Sequence, residues 1–141
     1  MKVFFDTNVY LAEALLGQAA ERLLDATVKG SWRIFASDYL LEELERVMKR
    51  LSFSRRLAVL AQKRIRRRSA IVEPPASRHA VPEDENDSPI LQAALAARVD
   101  YLVTNDGHLL KMSPYEGLRI LSMTEYHRLL VENGLLMEPE P

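Results

Sequence analysis

Two spacings of apolar positions take turns along the chain. Lys2 to Phe5 is a short run of strand-forming residues, and the stretch 11–30, LAEALLGQAAERLLDATVKG, then sets Leu15, Ala19, Leu23 and Ala26 at helical spacing until Gly30 closes the pattern. One strand followed by one helix is expected. WRIFAS, residues 32–37, repeats the strand pattern, and Ser37 stands where an N-cap hydroxyl would open a helix over 38–51, DYLLEELERVMKRL, with Leu40, Leu44, Val47 and Leu51 on one face. SFSRRLAVLAQKRIRRRS, residues 52–69, reads as a further helix capped by Ser54 and ending in a basic run.

The second half continues the alternation. AIVEPP is a brief apolar piece stopped by Pro74 and Pro75, and ASRHAVPEDENDS, 76–88, has the composition of a loop. Pro89 suits the first position of a helix over PILQAALAARV, because its missing amide hydrogen forfeits no hydrogen bond there. VDYLVTND (99–106) and LRIL (118–121) are strands. SMTEYHRLLVENG opens with Ser122 and Glu125 at capping-box spacing and closes with Gly134, leaving 135–141 as a short tail. No internal repeat or low-complexity tract interrupts this order. Strands alternating with helices predict an α/β fold, a central, mainly parallel sheet of about four to five strands covered by helices on both faces, in a single domain over residues 1–141.

Composition narrows the chemistry. With 141 residues, 48% of them hydrophobic and a net charge of −1, the chain has the makings of an ordinary globular core; a chain of this length buries roughly 68–70% of its unfolded surface. It has no cysteine, which removes disulfides, thiolate zinc sites and iron–sulfur clusters, and makes a reducing compartment the default. An acid at residue 6 comes too early for the apolar segment of a secretory signal, and no apolar run approaches the ~18 residues of a membrane span, so a cytoplasmic location is expected.

The acids gather in an informative way. In an open parallel sheet, functional groups collect beyond the carboxyl ends of the strands. Asp6 follows the first strand and Asp106 follows VDYLVTN, so the two share a crevice if those strands are neighbours. In the helix over 38–51, Glu43 falls at the edge of the apolar face, whereas Glu42 and Glu45 lie with Arg46 and Lys49 on the polar side. Asp87 precedes Ile90 and Leu91 by three and four residues and so tops the buried face of its helix, with Asp84 a rival in the same acidic loop. Singly, each acid also reads as a turn former, a helix-terminal charge or a boundary residue. Together, Asp6, Glu43, Asp87 and Asp106 would repel one another unless a cation lay between them. An all-oxygen ligand set suits Mg²⁺ or Mn²⁺, and a carboxylate cage that leaves metal positions open suits phosphoryl hydrolysis. Thr7, Asn8 and Thr104 stand beside these acids and could orient them by hydrogen bonds, with ordinary strand-end turn chemistry as the other reading.

DTNV near the start, LLEELERV in the second helical stretch and DSPILQAALAARVDYLVTND further on together resemble the PIN-domain ribonucleases, and in particular the VapC-like bacterial and archaeal toxin components. The resemblance runs from Val3 to about Tyr126, and the block from Asp87 to Asp106 is its specific part. It implies a PIN-like three-layer α/β/α sandwich. It also implies Mg²⁺- or Mn²⁺-dependent cleavage of single-stranded RNA by a metal-activated water, leaving a 5′-phosphate and a 3′-hydroxyl. Asp6, Glu43, Asp87 and Asp106 match the family's four acidic positions, Asn8 its supporting Asn, and Thr104 its hydroxyl residue two before the last acid. A homodimer and a small antitoxin partner follow from the resemblance as well. One departure is His108, which stands where many relatives carry a further acid, so occupancy by one or two metals stays open. A catalytically weak or inactive PIN-like scaffold that binds RNA or protein is the alternative.

From Arg46 to Arg68 the chain carries ten Lys or Arg and no acid, more than half of its 19 basic residues. Arg55, Arg56, Lys63, Arg64, Arg66, Arg67 and Arg68 are therefore the candidate RNA-phosphate contacts, with a solvated helix face or a grip on an acidic partner as the other readings. His79, His108 and His127 are scattered and form no metal-binding pair, and Trp32 and Tyr39 read as core or boundary residues. A phosphotransfer site built on Asp6 would want a second Asp two residues on, where this chain has Asn8.

Overall fold

The computed structural model of the protein describes residues 1–73 and 88–137. The order is β1 (Lys2–Phe5), α1 (Thr7–Leu16), α2 (Gln18–Lys29), β2 (Arg33–Ser37), α3 (Asp38–Arg50), α4 (Arg55–Arg68), β3 (Ser69–Val72), α5 (Ser88–Ala96), β4 (Tyr101–Val103), α6 (Gly107–Leu110), β5 (Arg119–Leu121) and α7 (Met123–Glu132). Among the described residues the strands form one five-stranded sheet, β3-β2-β1-β4-β5, in which every pairing is parallel. The sheet grows outward from β1 in both directions. Parallel crossovers are right-handed, so the connections leading to β2 and β3 run over one face and those leading to β4 and β5 over the other. This is the α/β arrangement of a parallel sheet flanked by helices that the alternation predicts, and it fits the sandwich that the resemblance implies. It also puts a topological switch point between β1 and β4, where chain paths diverge and leave a crevice at the strands' carboxyl ends.

The middle of the sheet is fully covered. Val3, Phe4 and Phe5 of β1 and Leu102 and Val103 of β4 have no exposed surface, which is why both strands read as unbroken apolar runs. The Phe5 ring meets Tyr10 and Tyr126 edge-on, with centroids 6.1 and 5.5 Å away, tying α1 and α7 to the same face. Ser37 and Ser54 cap α3 and α4 through bonds from Leu40 N and Leu57 N, and Ser122 with Glu125 forms the expected capping box.

Several expected boundaries move, each for a local reason. The single helix expected over 11–30 is two helices, because Gly17 adopts φ +76 and ends α1 while opening α2. The break turns Leu15 and Ala19 outward, and only Leu23 and Ala26 of the expected stripe are buried. Helix α1 also starts earlier, at Thr7, because Asp6 caps it. On α3, Leu51 lies past the helix and half exposed, and Met48 takes the buried position instead. The short helix α6 had no signal of its own in the pattern. In the expected tail, Leu135 and Leu136 pack against the core. Gly30 makes room for this: a Cβ there would meet the Leu135 methyls at 2.7 Å. The loop at 76–87, with His79, Asp84 and Asp87, lies outside the described residues.

One buried ion cluster fastens α1 to α4. Glu13, 8% exposed, receives both Nη atoms of Arg68 at 3.0 and 2.9 Å and Arg64 Nη2 at 3.1 Å. Removing the shared acid would strand a largely buried guanidinium, the costly way to break such a pair. Glu13→Gln should lower stability by about 3–5 kcal/mol, measured by urea unfolding of the purified protein. An unchanged midpoint would show that the cluster contributes no net stability.

Candidate active site

Asp6 reaches the switch-point crevice because β1 runs straight into α1. Its amide continues the ladder to Val103 O at 2.9 Å, and its own carboxylate then caps α1, Oδ1 accepting Thr7 N at 2.7 Å. The other oxygen, Oδ2, accepts the Thr104 hydroxyl at 2.7 Å and Asn8 Nδ2 at 3.4 Å. Thr104, fully buried at the end of β4, in turn accepts Asp106 N at 3.0 Å. One hydroxyl therefore joins the ends of the two central strands and sets the turn that carries Asp106. Asn8 braces the same junction, donating to Thr104 Oγ1 at 3.3 Å and accepting Asn105 N at 3.4 Å.

Glu43 arrives from the other side on the second turn of α3. It is half-buried, while Glu42, Glu45, Arg46 and Lys49 are exposed, as the helical pattern predicts. The Thr7 hydroxyl donates to its Oε1, and the Tyr39 hydroxyl donates to its Oε2 at 3.4 Å. Asp106 caps α6, accepting His108 N at 2.7 Å, and the exposed His108 ring lies with Nδ1 3.4 Å from the same oxygen.

Asp6, Glu43 and Asp106 line one cleft of about 190 Å³, together with Thr7, Asn8, Leu11 and Val47. It is not the largest. A cleft of about 330 Å³ lies between α2 and α7 and another of about 410 Å³ at the opposite edge of the sheet. The carboxylate cleft is singled out by its chemistry. Burial pushes Asp6 up to about 6, and the nearby Glu43 and Asp106 charges add to that rise against the hydrogen bonds from Thr104 and Thr7. A buried carboxyl whose ionisation is opposed by burial and by two neighbouring acids would gain from a shared cation, and oxygen-only donors suit a hard one. Among the described residues no three acids or histidines close tightly enough to hold an ion by themselves. Asp87, the fourth acid of the expected set, lies outside the described residues.

The basic run does not act as one surface. Arg64 and Arg68 are engaged by Glu13, with Arg68 only 13% exposed, and Arg66 lies 3.8 Å from Asp38. Arg55, Arg56, Lys63 and Arg67 are exposed. Sequence reasoning passed over Tyr39 as a partner of Glu43, although the four-residue interval on one helix is a signal for such a pair. It also passed over Asn105, whose Oδ1 accepts Met123 N at 3.3 Å and ties the Asp106 turn to α7. No short-range pattern announces that contact.

The PIN domain family profile matches residues 2–108. The chain belongs to the PIN domain family. No curated protein matches it in sequence. Among solved structures, its fold is similar to a chain in VapBC2 from Rickettsia felis bound to a DNA fragment from their promoter, with TM-score 0.67 and 19% identity over 86% of this chain and 98% of that one. It is also similar to PAE2754 from Pyrobaculum aerophilum, with TM-score 0.61 and 17% identity over 96% and 91% of the two chains. PIN domains are generally nucleases, and nucleases of this family generally use divalent metals.

Asp6 gives this PIN domain a pH signature. Its carboxyl ionises at about 6 in the folded protein and at its ordinary 3.8 when unfolded, so the folded state favours the neutral form. In metal-free buffer, stability should be fullest below about pH 4, fall through the window up to about pH 6 and level off above it, a loss on the order of 3 kcal/mol. Urea midpoints from pH 3.5 to 8 in EDTA would measure this, and Asp6→Asn should flatten the fall. A wild-type curve that rises across the same window would contradict it.

Proposed function

We propose that this PIN domain is a Mg²⁺- or Mn²⁺-dependent endoribonuclease acting on single-stranded RNA, and the toxin component of a toxin–antitoxin pair. The observation that carries the proposal is the shared cleft of Asp6, Glu43 and Asp106 at the switch point between β1 and β4. A bound divalent ion would polarise the scissile phosphate and the attacking water and offset the charge developing on the phosphate oxygens. Asp6, Glu43 and Asp106 would hold it, with Asp87 as the fourth acid. Thr104 and Asn8 keep the Asp6 carboxylate and the Asp106 turn in fixed relation, and Thr7 and Tyr39 hold Glu43 at the cleft wall. Leu11 and Val47 complete the lining of the cleft with apolar surface. The exposed cations of α4, Arg55, Arg56, Lys63 and Arg67, are the better candidates for RNA phosphates, because Arg64, Arg66 and Arg68 already have carboxylate partners.

Similarity in fold to a chain of VapBC2 supports a cognate antitoxin as partner. Homodimer formation and a cytoplasmic location are proposed with it. No described helix is long and apolar enough to cross a membrane.

Incubating a 5′-labelled single-stranded RNA with the purified protein tests the activity. Cleavage is expected with Mn²⁺, none with EDTA, and a loss of at least ~10²-fold in Asp6→Asn, the scale for removing a group that stabilises transition-state charge. Mn²⁺ should also raise the melting temperature of the wild type and not of Asp6→Asn. RNA binding that ignores both metal and Glu43→Gln, with no cleavage, would assign the chain instead to a scaffold role.

A further inference from the structure

Helix α3 brings more to the carboxylate cleft than Glu43. Tyr39, Glu43 and Arg46 follow one another at intervals of four and three residues and so share one stripe of the helix. The Tyr39 hydroxyl donates to Glu43 Oε2 at 3.4 Å, and the Arg46 guanidinium lies over the ring of the same tyrosine, with Cζ 5.6 Å from the centroid. One phenol thus meets a cleft acid with its hydroxyl and a cation with its face. Arg46 stands about 4.5 Å further along the helix axis than Glu43.

Arg46 is exposed and forms no ion pair among the described residues. Acids are close by in the sequence. Glu42 has the spacing of an i, i+4 partner, yet the guanidinium takes the tyrosine ring instead, while Asp38 and Glu45 are engaged by Arg66 at 3.8 Å and by Gln62 at 3.3 Å. Lys49 and Arg50 occupy the last turn of α3, where the helix dipole favours cations, but that effect fades before Arg46. A guanidinium stacked on a ring has its plane set and its N–H edge open, the form suited to a bidentate grip on a phosphate.

We propose that Arg46 binds the RNA phosphate adjoining the scissile one, and that Tyr39 keeps this guanidinium in register with Glu43. The proposal rests on the nuclease reading and goes beyond it, adding a substrate contact on α3 to the cations of α4. A strand whose scissile phosphate lies against Glu43 has its next phosphate within reach of a side chain one helical turn away, and the Arg46 donors there have no carboxylate to leave. Because the phosphate it holds does not react, the contact strengthens binding of substrate and transition state alike.

Anisotropy titration of a fluorescent single-stranded RNA with the full chain in EDTA, repeated over a range of salt, reads the contact without cleavage. Arg46→Ala should bind at least about tenfold more weakly, and its plot of log affinity against log salt should be shallower by about 0.7, the value for one phosphate of a single strand. Arg46→Lys should keep the wild-type slope and recover only part of the affinity. Tyr39→Phe, which keeps the ring, should retain RNA affinity, whereas Tyr39→Ala should weaken it. With Mn²⁺, Arg46→Ala should raise KM for cleavage at least about tenfold and leave kcat within about twofold, and its melting temperature should rise on adding Mn²⁺ as the wild type's does, since the carboxylates are untouched. A wild type that binds RNA without cleaving it would remove the nuclease reading and leave affinity and salt slope to decide the Arg46 contact. Equal affinity and equal slope in Arg46→Ala, or no RNA binding by the wild type, overturns the proposal.

Discussion

The Thr104 hydroxyl bond to Asp6 is the contact on which the carboxylate site depends. It closes the gap between the ends of β1 and β4, the one place in this sheet where neighbouring strands send their chains to opposite faces. Because the same oxygen also accepts the Asp106 amide, a single side chain fixes the Asp6 carboxylate and the start of the turn bearing the second acid. Asn8 and Asn105 extend the brace to α7. Acids held by such a network cannot swing apart to relieve their repulsion; burial is the main cause of the raised pKa of Asp6, and the Glu43 and Asp106 charges add to it.

Capping and charge pull against one another here. Asp6 and Asp106 both serve as N-caps, a role that favours an ionised carboxylate at a helix start. Burial works in the opposite direction on Asp6 and prevails. A cation at this point would restore the charged state without disturbing the caps, because the cap bonds from Thr7 N and His108 N each engage only one oxygen of the carboxylate. Structure and ligand would then favour the same protonation state. The helix starts that shape the fold are thus also the positions best suited to present acids at a sheet edge.

The sheet and its helices were largely legible in the sequence, since unbroken apolar runs such as VFF and YLV signal central parallel strands and Ser37, Ser54 and Ser122 mark helix starts directly. The convergence of Asp6 and Asp106 was legible only on condition that their strands are neighbours, which the β1–β4 pairing supplies, and that of Glu43 was legible from its place at the edge of a helical stripe. Gly17 was not legible as a break, because a glycine within a helical pattern can be tolerated as well as broken upon. Leu135 docking beside Gly30 depends on a contact between residues over a hundred positions apart, which periodicity cannot carry. The basic run shows the same limit: its composition is local, while the partners Glu13 and Asp38 that pair with three of the five cations in Lys63–Arg68 come from other helices.

That division of the basic run explains how a chain with a net charge of −1 can still meet a polyanion. Along α4, Arg64 and Arg68 are one helical turn apart and turn inward to a shared acid, whereas Lys63 and Arg67, also one turn apart, lie on the exposed side. The inward pair anchors the helix to α1, and this anchoring is what keeps the outward pair on a rigid support instead of a loose arm. A uniformly basic segment would repel itself and leave its position to chance. Interleaving the two stripes lets one helix hold the fold together and keep free charge at the surface, with the end of the outward stripe reaching the amino edge of the sheet at Arg67.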